Sequence, residues 1–453
     1  MISLFAQALL ADDPLVGVRV LGGREYLQCE RIAIPEIDDS SRTISEAAGR
    51  LSIAYRAIFG PPGDVHWRIE FRQYDEWNQP TIAPLDVDPT TSEFAARPSV
   101  GSFGEYACVT WNKSGATRAR VFDGSGAPVT EPFVVTDNVQ NTYTIPHILM
   151  DSNRIVFTLS ARIAGQVGIF VRVFGYDGMP ITALIPVAVS AAGTPRQYGC
   201  ADWLSDGGFA VNFSRGSGNP DPSYVFFSIV SSSYAVGVPI QVNYTSAWCH
   251  GFGVLEGDEI GLIIKTLDES ESTTINRYDL AGAPRDEPID LDSAGLIYRS
   301  HIERNGVVAL PYRVENDLFV AGRVLEPDWE SPSEQFYLPL YPTSPQDDFG
   351  TIQSSPGLIA DNGDAWFTWD NSTFPRQAHL AVLKPLLRGD MNNDRAINNF
   401  DIDAFVFALS NLPDYAAAYN IPEDAAIIIG DINEDGVLNN FDIDPFVMLL
   451  AGE

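Results

Sequence analysis

The sequence predicts an all-β chain, a seven-bladed β-propeller whose N-terminal strand closes the last blade, followed by a small α-helical module. Three observations predict it. Apolar and polar residues alternate in short runs from residue 14 to residue 388. A turn recurs about every fifty residues within that span, as propeller blades do. A seventeen-residue phrase is then written twice, as "GDMNNDRAINNFDIDAF" and, forty-one residues later, "GDINEDGVLNNFDIDPF".

The alternation is clear in "RIEFRQYD", "RARVFD", "IFVRVFGYD" and "TTINRYD", and it is the period of half-buried antiparallel strands. The recurring turn places an aromatic residue before a proline, at Pro80, Pro128, Pro180 and Pro284, with degenerate copies at Pro239 and Pro332. In chain order these prolines lie 48, 52, 59, 45 and 48 residues apart. Gly126, Gly178 and Gly282 supply the positive φ such a turn requires. One unit reads as four strands, 97–103, 106–112, 118–123 and 133–137, which is blade-sized and not the pattern of a sandwich. A seventh unit begins at "SSPGLIADNG" and "AWFTWDN" and ends on "HLAVLKPLL", without a fourth strand. The lone strand at 24–35 completes it and removes an open sheet edge. Seven blades follow, with six or eight left open by the degenerate copies.

Composition narrows the function classes. The chain has 453 residues, 45% hydrophobic and 19% charged, so it folds. Its 60 acidic and 28 basic residues give a net charge of −32, and only Lys113, Lys265 and Lys384 are lysines. Such a surface repels phosphate backbones and anionic lipids, which argues against nucleic acid and membrane partners. It suits divalent cations, cationic proteins or neutral glycans, and equally a merely soluble or salt-adapted exterior. Cys29, Cys108, Cys200 and Cys249 lack metal spacing, and the sequence does not pair them. No run approaches the roughly 20 apolar residues that span a bilayer. Residues 1–13 read as the remnant of an export signal ending near Ala6-Gln7-Ala8, hence a secreted or extracellular protein. A frayed terminus is the other reading.

The duplicated phrase has the spacing of a twelve-residue calcium loop. The second copy offers Asp431, Asn433, Asp435, Val437 (through its carbonyl), Asn439 and Asp442, with Gly436 at the sharp turn. The first offers Asp390, Asn392, Asp394, Ala396 (carbonyl), Asn398 and Asp401, but Arg395 replaces the glycine. Its turn is therefore expected to be strained or shifted and its site weaker. Each loop runs into an apolar stretch that can form a helix, and no helix is read before either loop. Residues 389–453 thereby resemble a dockerin type I module, and the body resembles the divergent propellers of secreted bacterial proteins. The first resemblance implies two bound Ca2+ ions and a cohesin-like extracellular partner. It also implies that loop positions 10–11, here Asn399-Phe400 and Asn440-Phe441, touch that partner. Family members usually carry Ser-Thr there and basic residues on the helix, which this chain lacks. Most of Phe400, Phe405, Phe441 and Phe446 are expected to pack the module's core. The short "KPLLRGD" joint places the module close to the propeller.

No catalytic signature appears. His147, His250 and His301 fall on strands expected to line the propeller axis, and Asp202, Glu256 and Glu303 are acidic candidates there. Trp67, Trp77, Trp203, Trp248 and Trp329 could stack on sugars, but inter-blade packing is the commoner use. The expected function is a secreted propeller that binds a glycan or protein and is anchored by its calcium module. The alternative is a polysaccharide-degrading glycoside hydrolase on the same anchor.

Overall fold

The computed structural model describes residues 17–452 except 22–23, 29–31, 60–65, 90–94, 137–145, 164–165, 191–198, 216–223, 243–246, 267–271, 291–299, 302–307, 314–319, 326–335, 339–356, 360–362 and 371–375. The segment read as an export signal therefore lies outside the described residues. So do Trp329, Pro332 and Glu303.

A hairpin, β1 (Gly17–Leu21) and β2 (Arg24–Gln28), precedes the repeated units. The first unit is β3 (Ile32–Ala47), β4 (Arg50–Phe59), β5 (His66–Asp75) and β6 (Pro80–Asp86). The second is β7 (Ala95–Phe103), β8 (Tyr106–Lys113), β9 (Ala116–Phe122) and β10 (Phe133–Thr136), close to the four strands expected. The third is β11 (His147–Met150), β12 (Ile155–Ile163), β13 (Gln166–Phe174) and β14 (Ile185–Ser190). The fourth is β15 (Ala201–Trp203), β16 (Phe209–Arg215), β17 (Tyr224–Val230) and β18 (Ile240–Gln241). The fifth is β19 (Ala247–Val254), β20 (Ile260–Thr266), β21 (Thr273–Tyr278) and β22 (Ile289–Asp290). After the two-residue β23 (Ser300–His301) come β24 (Val308–Arg313), β25 (Val320–Leu325) and β26 (Phe336–Leu338) in a three-stranded sheet. The last unit is β27 (Gly357–Ile359), β28 (Ala365–Asp370) and β29 (Arg376–Pro385).

The chain is a β-propeller of antiparallel meander units. Its last unit takes its fourth strand from the N-terminus: β2 pairs antiparallel with β29, Tyr26 opposite Pro385 and Gln28 opposite Leu383. β3 continues along the same edge, Ile32 opposite Leu380 and Ile37 opposite Arg376, before pairing with β4 and opening the first unit. Six complete four-stranded units result among the described residues. The expected count of seven is not confirmed, because the segment between the fifth and last units contributes the three-stranded sheet and the short β23.

The recurring turn is a real structural unit. In five copies the backbone closes the same two hydrogen bonds, as in Asp123 N to Ala127 O and Gly126 N to Asp123 O, both 2.9 Å. The fourth turn residue is left-handed each time: Asn78, Gly126, Gly178, Tyr234 and Gly282, with φ of 60, 81, 76, 67 and 84°. An aspartate at its head, Asp75, Asp123 or Asp279, accepts main-chain N–H groups and fixes the bend. The residue six positions after the strand's last residue then bridges back, Phe122 to Pro128, Phe174 to Pro180 and Tyr278 to Pro284. The fourth copy corrects the sequence reading. There Val230 bridges Val236, so Val236 occupies the proline position and Pro239 lies three residues beyond it.

Four helices follow: α1 (Asp401–Ser410), α2 (Leu412–Tyr419), α3 (Glu423–Gly430) and α4 (Ile443–Ala451). In α1 the buried residues Asp401, Ala404, Phe405 and Ala408 recur at helical spacing and form its inner face. The helix α3 leads straight into the second loop, contrary to the expectation that no helix precedes either. The helices do not stand apart from the propeller. Leu51, Ile53, Tyr55, Trp77, Trp366 and Val382 share one hydrophobic cluster with Met391, Phe405, Tyr415, Ile429 and Phe446. The short joint predicted this closeness, and burial of one continuous apolar cluster accounts for it.

Candidate functional site

The two loops are superposable in their hydrogen bonding. In the first, Asp390 accepts the N–H groups of Asp394 (3.1 Å) and Arg395 (3.0 Å), and Asp401 accepts those of Asn392 (3.0 Å) and Asn398 (2.8 Å). In the second, Asp431 accepts from Asp435 (2.9 Å) and Gly436 (2.8 Å), and Asp442 from Asn433 (3.1 Å) and Asn439 (2.8 Å). The intermediate residues match too. Asn392 and Asn433 accept from the aspartate two residues on, Asp394 and Asp435 from Ala396 and Val437, and Asn398 and Asn439 from Phe400 and Phe441. In each loop the acidic and amide side-chain oxygens are thus held by main-chain N–H groups.

Four of these carboxylates are buried: Asp390, Asp401, Asp431 and Asp442. Among the described residues their partners are main-chain N–H groups, and no Lys, Arg or His side chain pairs with them. Burial pushes the Asp390 carboxyl up to about 6, against the pull of the Arg395 and Asp394 N–H donors and with the help of the Asp401 and Asp394 charges. A buried carboxylate without a cation is costly, and each still has lone pairs free beyond its N–H bonds. A hard divalent cation with oxygen ligands fits that chemistry. Among the described residues no three His, Cys, Asp or Glu side chains form a metal-binding group by themselves. A cation held by either loop would therefore need its amide and main-chain carbonyl oxygens as well as its carboxylates.

The loops differ at two left-handed positions of the turn, Asn393 against Glu434 and Arg395 against Gly436. Arg395 holds φ of 67° where Gly436 holds 86°, so the first turn is not shifted but keeps the glycine conformation with a side chain attached. That side chain reaches the propeller. Its guanidinium pairs with Asp364 at 2.6 Å, lies 3.7 Å from Glu76 and donates to the Pro385 carbonyl at 3.4 Å. Asn393, also left-handed at 57°, donates to Glu76. Lys384 sits beneath, bonded to Glu76 (2.7 Å) and Asp364 (3.0 Å) and 4.5 Å from the Trp77 ring centroid. Sequence reasoning missed this network, because Asp364 and Glu76 are far from Arg395 in the chain.

The phenylalanines divide. Phe405 and Phe446 stack at 4.3 Å between ring centroids and are buried, joining the two halves of the module. Phe400 and Phe441 are 79% and 78% exposed, so they do not pack the core. Around them Ile402 and Ile443, and Val406 and Val447, are matched exposed pairs, and Asn399 and Asn440 are exposed as well.

The described propeller candidates His147 and Asp202 each bond the first strand of the following unit. His147 begins β11 and accepts the Ala201 N–H from the next unit's first strand at 3.2 Å. His250 lies on β19 at a register shift and His301 on β23, opposite Phe252, but their side chains lie outside the described residues. Asp202 is engaged by two main-chain donors, Trp203 (2.8 Å) and Val254 (2.7 Å), and Glu256 is exposed in a turn. Trp203 donates to the Met150 carbonyl of the neighbouring unit and Trp77 is buried, both packing roles; Trp67 is partly exposed, and the Trp248 side chain is not described. Cys108 and Cys249 are buried free thiols. No helix among the described residues is long and apolar enough to cross a membrane.

No protein-family model matches the chain, and no curated protein matches it in sequence. Solved structures do. A protein of unknown function from Dyadobacter fermentans is 11% identical over 78% of this chain and 98% of its own, with a TM-score of 0.45. The β-propeller domain of the Trilobed protease from Pyrococcus furiosus is 11% identical over 77% and 93%, with a TM-score of 0.46. The α-L-arabinofuranosidase PaAbf62A from Podospora anserina is 12% identical over 78% and 92%, with a TM-score of 0.33. Likenesses of this size carry no argument about activity. The propeller assignment rests on the strand pairing itself.

Proposed function

We propose that residues 389–453 form a dockerin-like module with two calcium loops, and that this module anchors a secreted propeller to a cohesin-like extracellular protein. In this reading Asp390, Asn392, Asp394, Ala396, Asn398 and Asp401 hold one Ca2+. Asp431, Asn433, Asp435, Val437, Asn439 and Asp442 hold the other. The observation that carries it is the pair of buried, cation-free carboxylate loops with one hydrogen-bond pattern. Phe400 and Phe441 then form the centres of two matched apolar patches, either of which can meet the partner in place of the usual Ser-Thr. The propeller carries the ligand-binding role, for a glycan or a protein. We infer that β24–β26 is the remaining blade of a ring of seven, a reading supported by the side-by-side parallel first strands β19, β23 and β27.

Among the described residues the glycoside hydrolase alternative has no comparable support, since Asp202 is held by main-chain donors and Glu256 is exposed in a turn. The test is surface plasmon resonance of the full chain over immobilised cohesin modules, with calcium and with a chelator. Retention that disappears on chelation is expected. A parallel panel of polysaccharides, scored for retention and for new reducing ends, decides the propeller's role: retention without new ends supports a binder, and new ends refute it.

A further inference from the structure

We infer that the first cation loop is a two-part site, in which the propeller, through Asp364 and Glu76, holds Arg395 and Asn393 in the left-handed turn the loop needs. The inference rests on the calcium reading above. Its ground is the place where two otherwise matching copies diverge. Loop positions 4 and 6 are left-handed in both copies, Asn393 and Arg395 in the first, Glu434 and Gly436 in the second, with φ of 57, 67, 60 and 86°. In the second copy Gly436 faces outward, a Cβ built on it meeting nothing within 4 Å, and the Glu434 side chain, 64% exposed, lies 3.5 Å from Arg388 in the joint. In the first copy both reach the propeller, Asn393 to Glu76 and Arg395 to Asp364, whose side chain is 1% exposed.

A side chain at a left-handed position is strained, and glycine is the residue that avoids it. Arg395 keeps the strained conformation because its guanidinium is bound at the far end by a buried carboxylate whose other oxygen is held by Lys384. The Arg395 main-chain N–H remains free to hold Asp390, the first ligand of the loop. The propeller thus replaces the missing glycine by a tether. The expectation from sequence, a weak first site, applies only to a loop without that tether. Asp364 and Glu76 are positioning residues: they act on the loop through Arg395 and Asn393.

The experiment titrates Ca2+ calorimetrically into the full chain carrying Asp435→Ala, an exposed position whose loss leaves only the first loop as a site. In that background Arg395→Ala keeps the strain and removes the tether, and it should weaken Ca2+ binding about tenfold. Arg395→Gly removes both and should return within about threefold of the parent. Asp364→Asn should behave as Arg395→Ala does, while none of the three changes binding at the second loop when Asp394→Ala silences the first. Equal affinity for Arg395→Ala and its parent would overturn the inference and leave the calcium reading standing. So would a Gly variant as weak as the Ala variant. No saturable Ca2+ binding by the unmutated chain would overturn the calcium reading itself.

Discussion

Replacing Lys384 by Met tests the junction between the two ends of the propeller and the module. The lysine side chain is 2% exposed and bonds two carboxylates, Asp364 at 1% and Glu76 at 25% exposure. Removing one member of a buried ion pair costs about 3–5 kcal/mol, because the partner is left charged in a medium of low polarity. Here Arg395 still pairs with Asp364, so the loss should fall near the low end, about 3 kcal/mol. Methionine keeps an apolar stem against Trp77, which separates the charge effect from packing. Urea unfolding of the full chain in calcium, followed by tryptophan fluorescence, measures it as a double-mutant cycle with Asp364→Asn. The two changes should couple by at least about 1 kcal/mol, the double variant being less destabilised than the sum of the singles. A Lys384→Met chain within about 0.5 kcal/mol of the parent, or strict additivity, would refute the reasoning.

Other outcomes follow from the same geometry. Gly282→Ala should destabilise by about 1–3 kcal/mol in chemical unfolding, since its φ is 84° and the new Cβ would lie 2.4 Å from Ile240 Cγ2. Phe446→Ala should cost about 3–5 kcal/mol because its ring is buried on Phe405, whereas Phe441→Ala should stay within about 0.5 kcal/mol. Changing both Phe400 and Phe441 to Ser should abolish partner retention with the unfolding midpoint unmoved, and either change alone should leave retention in place. All three lysines are buried, at 5%, 8% and 2% exposure. An amine-reactive reagent should therefore leave all three unlabelled in the folded chain and label them only after denaturation, as read by peptide mass mapping.

Much of the fold was legible because blades repeat. Alternation located β7 to β10 almost to the residue, and the turn glycines Gly126, Gly178 and Gly282 do adopt positive φ. The fourth copy was misplaced because Tyr234 takes the left-handed position and Val236 the proline's, so neither marker residue was present. The helix α3 escaped notice because "EDAAIIIG" is short and rich in β-branched isoleucine, and packing against the propeller core decides its state. Loop spacing named the acidic residues, but helical phase, not type, sorted Phe405 and Phe446 inward from Phe400 and Phe441. The role of Arg395 could not be read locally, because its partner Asp364 is thirty-one residues upstream.

The most direct test of the central claim is the number of Ca2+ ions bound per full-length chain, by titration calorimetry, with Asp394→Ala and Asp435→Ala as separate variants. Two ions bound by the parent and one by each variant is the predicted result. No saturable binding, or a stoichiometry unchanged by both substitutions, would contradict it.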